Sequence, residues 1–217
     1  MKKLILVVNI LNTVILIGMI TVLLTGCGQT TNITSSTVNQ NTVSHMTTVQ
    51  AIVSNENQYR ESVGQELLIP GLSCYLYTVP TTTTQIVGAT LTGVGGFEFL
   101  GKFNQPNDSV NSGLNILPTG LRSTYQSWFI VRCYGSLVID TNNWHSFDLT
   151  SDDGSNLYID GLLINNDGLH GAQTKFASKY LKYGIHSFEL DFFQAAGNQA
   201  LILNEDGQVM DSSGFYH

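Results

Sequence analysis

The strongest constraint on the fold of this chain is a two-residue rhythm. In "HSFDLTS", Phe147 and Leu149 fall on one side of an extended backbone, and Ser146, Asp148 and Thr150 fall on the other. "SFELDF" repeats the pattern, with Phe188, Leu190 and Phe192 against Glu189 and Asp191. Successive side chains alternate across a strand, so each segment predicts an antiparallel strand with one face buried and one solvated. "LLIPGLSCYLYTV", "QIVGATLTGV", "FEFLGKF", "SWFIVRCYGSLVI", "NLYIDGLLI" and "QALILNEDG" are further short runs rich in β-branched and aromatic residues. Gly, Asn, Asp and Pro separate them, as turns require. No stretch holds a helical period beyond a single turn near Ala172–Tyr180. The expected fold is therefore all-β, an antiparallel β-sandwich or jelly-roll-like barrel over residues 63–210, with 211–217 as a C-terminal tail.

The N-terminus reads differently. "MKK" precedes the apolar segment "LILVVNILNTVILIGMITVLL", which ends in Leu24-Thr25-Gly26-Cys27. A basic start, an apolar stretch and small residues make a secretory signal over residues 1–26. Leu-Thr-Gly-Cys resembles the lipobox of bacterial lipoproteins, which implies cleavage before Cys27 and lipidation of that residue. The alternative is an uncleaved anchor, since the segment is long enough to cross a bilayer. The resemblance implies a lipid-anchored protein of the bacterial cell envelope. It would sit at the outer membrane where the cell has one, since Gly28 and not Asp follows the cysteine, and otherwise on the outer face of the plasma membrane. Residues 27–62 are rich in Ser, Thr, Asn and Gln and read as a disordered, flexible tether.

Charge narrows the partners. Charged residues make up 12% of the chain, against roughly 25% in ordinary domains, and the net charge is −7. Nucleic acid is not an expected partner, because no cluster of Lys and Arg exists to neutralise phosphates. With Cys27 consumed, Cys74 and Cys133 remain, either bridged or as two buried thiols.

The chemistry concentrates in "SFDLTSDDGSNLYIDG", where Asp152 and Asp153 are adjacent. They make either a tight turn with Gly154 or a cation site. Calcium takes oxygen ligands, and the pair could supply two carboxylates. Asp160-Gly161 reads as a hairpin turn. Catalysis is disfavoured: glycosidases need carboxyls on opposite sides of a bond. No Gly-x-Ser-x-Gly elbow or His-Glu-x-x-His helix is present, and the histidines lack metal-ligand spacing.

Tyr134-Gly135, Ser146-Phe147, Ser151 to Gly154, Leu157 to Gly161, Leu181 to His186 and Phe188 to Leu203 together resemble the protective-antigen fourteen-kilodalton (PA-fourteen, PA14) domain. The likeness is strong over residues 129–203 and weak over 70–128. It implies a β-sandwich that serves as a carbohydrate-binding or adhesive module. In the adhesin branch the adjacent aspartates share a cis peptide and face one calcium ion. By that resemblance Asp152 and Asp153 would hold calcium, with Gln194 and Asn198 in the "FFQAAGNQ" loop as further ligands. Trp144, Asn165, Asn166 and Asp167 would be candidates for ligand contact. The implied partner is a glycan, or a cell-envelope component where the domain serves assembly instead.

Overall fold

The computed structural model describes residues 40–62, 64–109 and 113–217. The expected signal peptide, Cys27 and the first part of the tether lie outside the described residues. In chain order the elements are α1 (Gln40–Ser62), β1 (Leu72–Thr78), β2 (Thr92–Phe99), β3 (Asn104–Ser109), α2 (Thr119–Arg122), β4 (Phe129–Ile139), β5 (Asn143–Asp152), β6 (Ser155–Ile159), β7 (Leu162–Asn166), β8 (Gln173–Leu181), β9 (Gly184–Gln194), β10 (Asn198–Glu205), β11 (Gln208–Val209) and β12 (Phe215–Tyr216). One sheet has seven strands in the order β2-β1-β4-β9-β6-β7, with β12 on β4. The other has five, β11-β10-β5-β8, with β3 on β10. Every pairing is antiparallel, so the expected all-β sandwich is the observed one.

The rhythmic segments behave as read. Phe147 and Leu149 of β5 and Phe188, Leu190 and Phe192 of β9 are buried between the sheets, against Leu201, Leu203, Leu157 and Val131. Each such side chain contributes about 1.5–3 kcal/mol on leaving water. Cys74 and Cys133 face each other across β1 and β4 with Cα atoms 4.0 Å apart, and a disulfide joins them inside the core. The bridge, not a pair of free thiols, is present. A cross-link over a sequence separation of 59 removes unfolded-chain entropy of about 4 kcal/mol in the polymer account.

Three expectations need correction. Residues 173–181 form strand β8 where a helical turn was expected near Ala172–Tyr180. Its apolar Phe176 and Tyr180 face solvent on a sheet edge, which blurs the buried-exposed alternation. Residues 211–217 are not a loose tail: β12 pairs with β4, and Phe215 is fully buried.

The third correction concerns residues 40–62, expected as flexible tether, which form α1. Val49, Ile52 and Val53 recur at helical spacing and pack on Leu68, Val138, Ile185 and Tyr216. Asn57 fastens the following segment, accepting from Leu68 N at 2.6 Å and donating to Leu68 O at 3.1 Å. Arg60 pairs with Glu56 one turn earlier at 2.9 Å. Tertiary docking sustains this helix, since its polar sequence offers little by itself. Ile52→Asp removes the helix's central contact, worth about 1.5–3 kcal/mol. Limited proteolysis should then cut within residues 40–62 faster while the β-sandwich circular-dichroism signal persists; unchanged cleavage would contradict the docking.

Candidate functional site

β5 belongs to the five-stranded sheet and β6 to the seven-stranded one, and only Asp153 and Gly154 connect them. The crossing needs glycine, because a Cβ at Gly154 would stand 2.8 Å from Gly168 N and 2.9 Å from Gly168 O. The Asp152–Asp153 peptide is cis. Both aspartates are only 6% exposed.

Two loops converge on the pair. From the β9–β10 turn, Ala195 N donates to Asp153 Oδ2 at 2.9 Å, and Ala196 N–H is also directed at Asp153. From the β7–β8 loop, the His170 N–H serves Asp153 and the Ala172 N–H serves Asp152. Burial pushes both carboxyls above the ordinary carboxylate range, and the charge of Asp153 adds to the rise at Asp152. The backbone donors and His170 oppose that rise. A raised folded-state pKa means that ionising the pair with rising pH takes stability from the fold, which a positive charge at the site reverses.

The surrounding residues are fixed in turn. His170 places Nε2 2.8 Å from Asn166 O and Nδ1 2.9 Å from Gly171 O, so both ring nitrogens face backbone carbonyls. Behind the aspartates, buried Ser151 Oγ accepts from Ser155 Oγ at 2.7 Å and from Asn166 Nδ2 at 2.8 Å. Asp167 secures a third loop: its Oδ1 accepts from Ile86 N at 2.7 Å and from Gly168 N at 2.8 Å, and its Oδ2 accepts from Val87 N at 3.2 Å. Ile86 is thereby packed with Val79, Ile130, Phe193 and Ala195 in a small satellite core beside Asp153.

The sequence-derived candidates therefore separate by task. Asp152 and Asp153 meet at one pole of the sandwich, with Asn165 and Asn166 at the end of β7 and Asp167 in the loop that follows. Asn166 points inward to Ser151, Asn165 Oδ1 accepts from Asp167 N, and Asp167 holds the β1–β2 loop. Gln194 is fully buried and spans the β9–β10 turn, Nε2 donating to Asn198 O at 3.0 Å while its Oε1 has no hydrogen-bond donor. Asn198 is exposed. Trp144 is 64% exposed and packs edge-on to Tyr180, but it lies eight residues up β5 from Asp152, roughly 26 Å at about 3.3 Å per residue. It is not part of the aspartate pole. Sequence reasoning missed the backbone donors of His170, Ala172, Ala195 and Ala196; the glycines of "DGLHGA" were the available signal.

A second polar group lies beside this pole on the outer face of the seven-stranded sheet. Asp191 of β9 stands between Arg132 of β4 and Asn156 of β6 and is buried despite facing away from the core. Burial raises its carboxyl to about 7; the Arg132 charge opposes this, and Glu189 and Asp167 add to it. The Arg132 guanidinium is lowered by its own burial and raised more by Asp191 and Tyr134, so the two charges attract. The attraction does not offset the burial of Asp191, because Arg132 Nε is 3.5 Å away and Asp191 Oδ1 is shielded from water without an aligned donor.

No family model matches this chain, and no curated protein does. Solved structures do share its architecture. The PA14 domain of the MpAFP antifreeze protein is 15% identical at a TM-score of 0.55, over 70% of this chain and 93% of that one. The PA14 sugar-binding domain from an RTX adhesin is 19% identical at 0.54, over 69% and 99%. A subtype-switched epithelial adhesin A domain from Candida glabrata, in complex with beta-lactose, is 11% identical at 0.51, over 69% and 88%. This chain has the PA14 fold. The resemblance read from its motifs is thus one of architecture.

The Asp191 arrangement has a measurable consequence. Its folded-state value lies above the unfolded one of about 4, so its contribution to stability is lost as pH rises from about 4 through about 7. Asp191→Asn should therefore gain stability relative to wild type between pH 5 and pH 8, on the order of 2–4 kcal/mol by urea unfolding. A pH-independent difference would show that Arg132 neutralises Asp191 fully.

Proposed function

We propose that this chain is a non-catalytic surface module that binds glycans, with Asp152 and Asp153 holding calcium at its binding pole. The observation that supports this most is a buried pair of adjacent carboxyls on which two backbone loops converge. Among structures of this fold, one is described as a sugar-binding domain and another is in complex with beta-lactose.

The donor set suits a hard cation. Asp152 and Asp153 offer carboxylate oxygens, and Gln194 Oε1 is a buried carbonyl oxygen without a donor in the adjoining turn. Asn198, exposed at the same turn, offers another amide oxygen. When bound there, calcium supplies the positive charge that the buried carboxyls lack and coordination positions open to sugar hydroxyls. The chain's own residues do the positioning. Ala195 N–H fixes Asp153, Asp167 ties the β1–β2 loop to the β7–β8 loop, and Ser151 and Asn166 brace the end of β5 from beneath. Adjacent carboxyls at one pole cannot bracket a glycosidic bond, so the reading is of binding and not hydrolysis.

Calorimetry on the full chain in detergent tests the cation. Wild type should give calcium-binding heat and Asp152→Ala/Asp153→Ala none, and calcium at a hundredfold its Kd should add about 2.7 kcal/mol of stability. Zero heat from both proteins removes calcium from the proposal. A glycan array with and without chelator then tests the ligand. Calcium binding with a silent array would transfer the pole to a protein partner in the cell envelope.

The same proposal places the protein at the cell envelope through lipidated Cys27, supported by the Leu-Thr-Gly-Cys motif. Labelling with a palmitate analogue should mark wild type and not Cys27→Ser, which should also leave the membrane fraction. Retention of the variant at the membrane would point to the uncleaved apolar segment instead.

A further inference from the structure

The apolar stripes that fill the sandwich end unexpectedly at the pole opposite Asp152. On β5 the inward positions run Leu149, Phe147 and then His145; on β10 they run Leu201, Leu203 and then Glu205. Glu205 pairs directly with Phe147, so both rows pass from apolar side chains to a metal-ligating type at this pole. Asp206 follows in the two-residue turn to β11, and it and Gly207 both have positive φ, 51° and 74°.

These three side chains meet. His145 Nδ1 lies 2.9 Å from Glu205 Oε1 and 3.3 Å from Asp206 Oδ2. One ligand atom from each of the three falls within 4.8 Å of the others. Two atoms each about 2.1 Å from a shared ion stand about 3.0–3.3 Å apart when the angle between them is about 90–100°. Asp206 is held for the purpose: its Oδ1 accepts from Ser146 N at 2.8 Å and Ser146 Oγ at 3.0 Å, and its N donates to Ser146 O at 2.8 Å. That leaves Oδ2 turned to the histidine.

A plain ion pair does not account for the ring. The His145 side chain is 11% exposed, and both ring nitrogens are shielded from water without an aligned hydrogen-bond partner, although two carboxylates are within reach. The other histidines whose side chains are described behave differently. His170 and His186 engage both nitrogens, and His217 Nδ1 meets Ser73 Oγ. The cluster also opens on a cavity of about 550 Å³. Asp140 and Asp211 contribute to its wall, and Lys102 stands 3.8 Å from Asp211.

We propose that His145, Glu205 and Asp206 form a second metal site, for a divalent transition ion of the zinc class. One imidazole nitrogen with two carboxylate oxygens is a donor set for zinc more than for calcium. Three protein ligands leave coordination positions facing the cavity, where water or a small neutral hydroxyl group fits. The site is independent of the aspartate pair, since seven residues of β5, roughly 23 Å, separate His145 from Asp152.

The test uses the full chain, stripped by chelator and titrated with zinc chloride by calorimetry, alongside cobalt substitution read by visible absorption. Wild type should bind one equivalent and show a tetrahedral or five-coordinate cobalt band. His145→Ala and Glu205→Gln should each weaken zinc at least tenfold, and Asp152→Asn/Asp153→Asn should leave it unchanged. The Glu205→Gln change is conservative and guards against misfolding. Where His145→Ala fails to fold, the zinc-induced shift of the His145 ring signals in wild-type nuclear magnetic resonance spectra replaces it. Absence of zinc binding by wild type, or equal binding by Glu205→Gln, overturns the proposal. Loss of zinc in the Asp152/Asp153 variant with retention in Glu205→Gln would assign the ion to the other pole and overturn it equally.

Discussion

The β4–β9 ladder positions the rest of the domain. Its partners run from Phe129 with Gln194 to Ile139 with Gly184, roughly 33 Å of continuous pairing. Register on such a ladder is binary, because a slip of one residue would turn Phe188, Leu190 and Phe192 outward and drive Glu189 and Asp191 into the core. The Cys74–Cys133 bridge fastens β1 to the same strand. From the Gln194 end the chain turns through Ala195 and places its N–H on Asp153. From the Ile139 end it leads into β5 and His145, and the same end receives α1 on Val138 and Ile185. Both poles thus inherit their geometry from one pairing.

Ionisable groups withdrawn from water mark three places on this frame, and what meets them differs. Asp152 and Asp153 are met by backbone N–H groups, which moderate their burial without cancelling it. Asp191 is met by a guanidinium that lies close but is not aligned. His145 is met by two carboxylates without a directed hydrogen bond. Buried charge is costly unless paired with good geometry, so each place is either a stability liability or a site completed by something else. Asp191 sits in a continuous sheet face between Arg132 and Asn156, where a liability is the simpler reading. The aspartate pole is instead bounded by loops, and the His145 pole opens on a cavity.

Much of this was readable from residue order. The alternation in β5 and β9 gave both core faces, because those strands have one wet and one dry side. Asp160-Gly161 read correctly as a turn, and both residues have positive φ. The adjacent aspartates marked the first pole. What escaped notice was created by distant contacts. Helix α1 has only Val49, Ile52 and Val53 to announce it, and its reason to form is a surface made by Val138, Ile185 and Tyr216. Strand β8 hid because an edge strand exposes Phe176 and Tyr180, so the alternation no longer matched burial. Asp167 looked like a ligand because its partners, Ile86 and Val87, lie some eighty residues earlier. His145 showed no ligand spacing since Glu205 and Asp206 reach it only through the β5–β10 pairing.

The two poles also differ in how they are covered. Helix α1 docks on the outer face at the Ile139 end, and while docked there on Val138 and Ile185 its central turns cannot reach Asp152 and Asp153. The aspartate pole is bounded instead by three loops that hold one another: Asp167 to Ile86 and Val87, Asp153 to Ala195, and His170 to Asn166. Loops fixed by such mutual contacts lose little freedom when a ligand arrives, and that is the condition under which a shallow polar surface can hold one. Preorganisation, more than the count of carboxylates, is what makes this pole the stronger candidate for recognition.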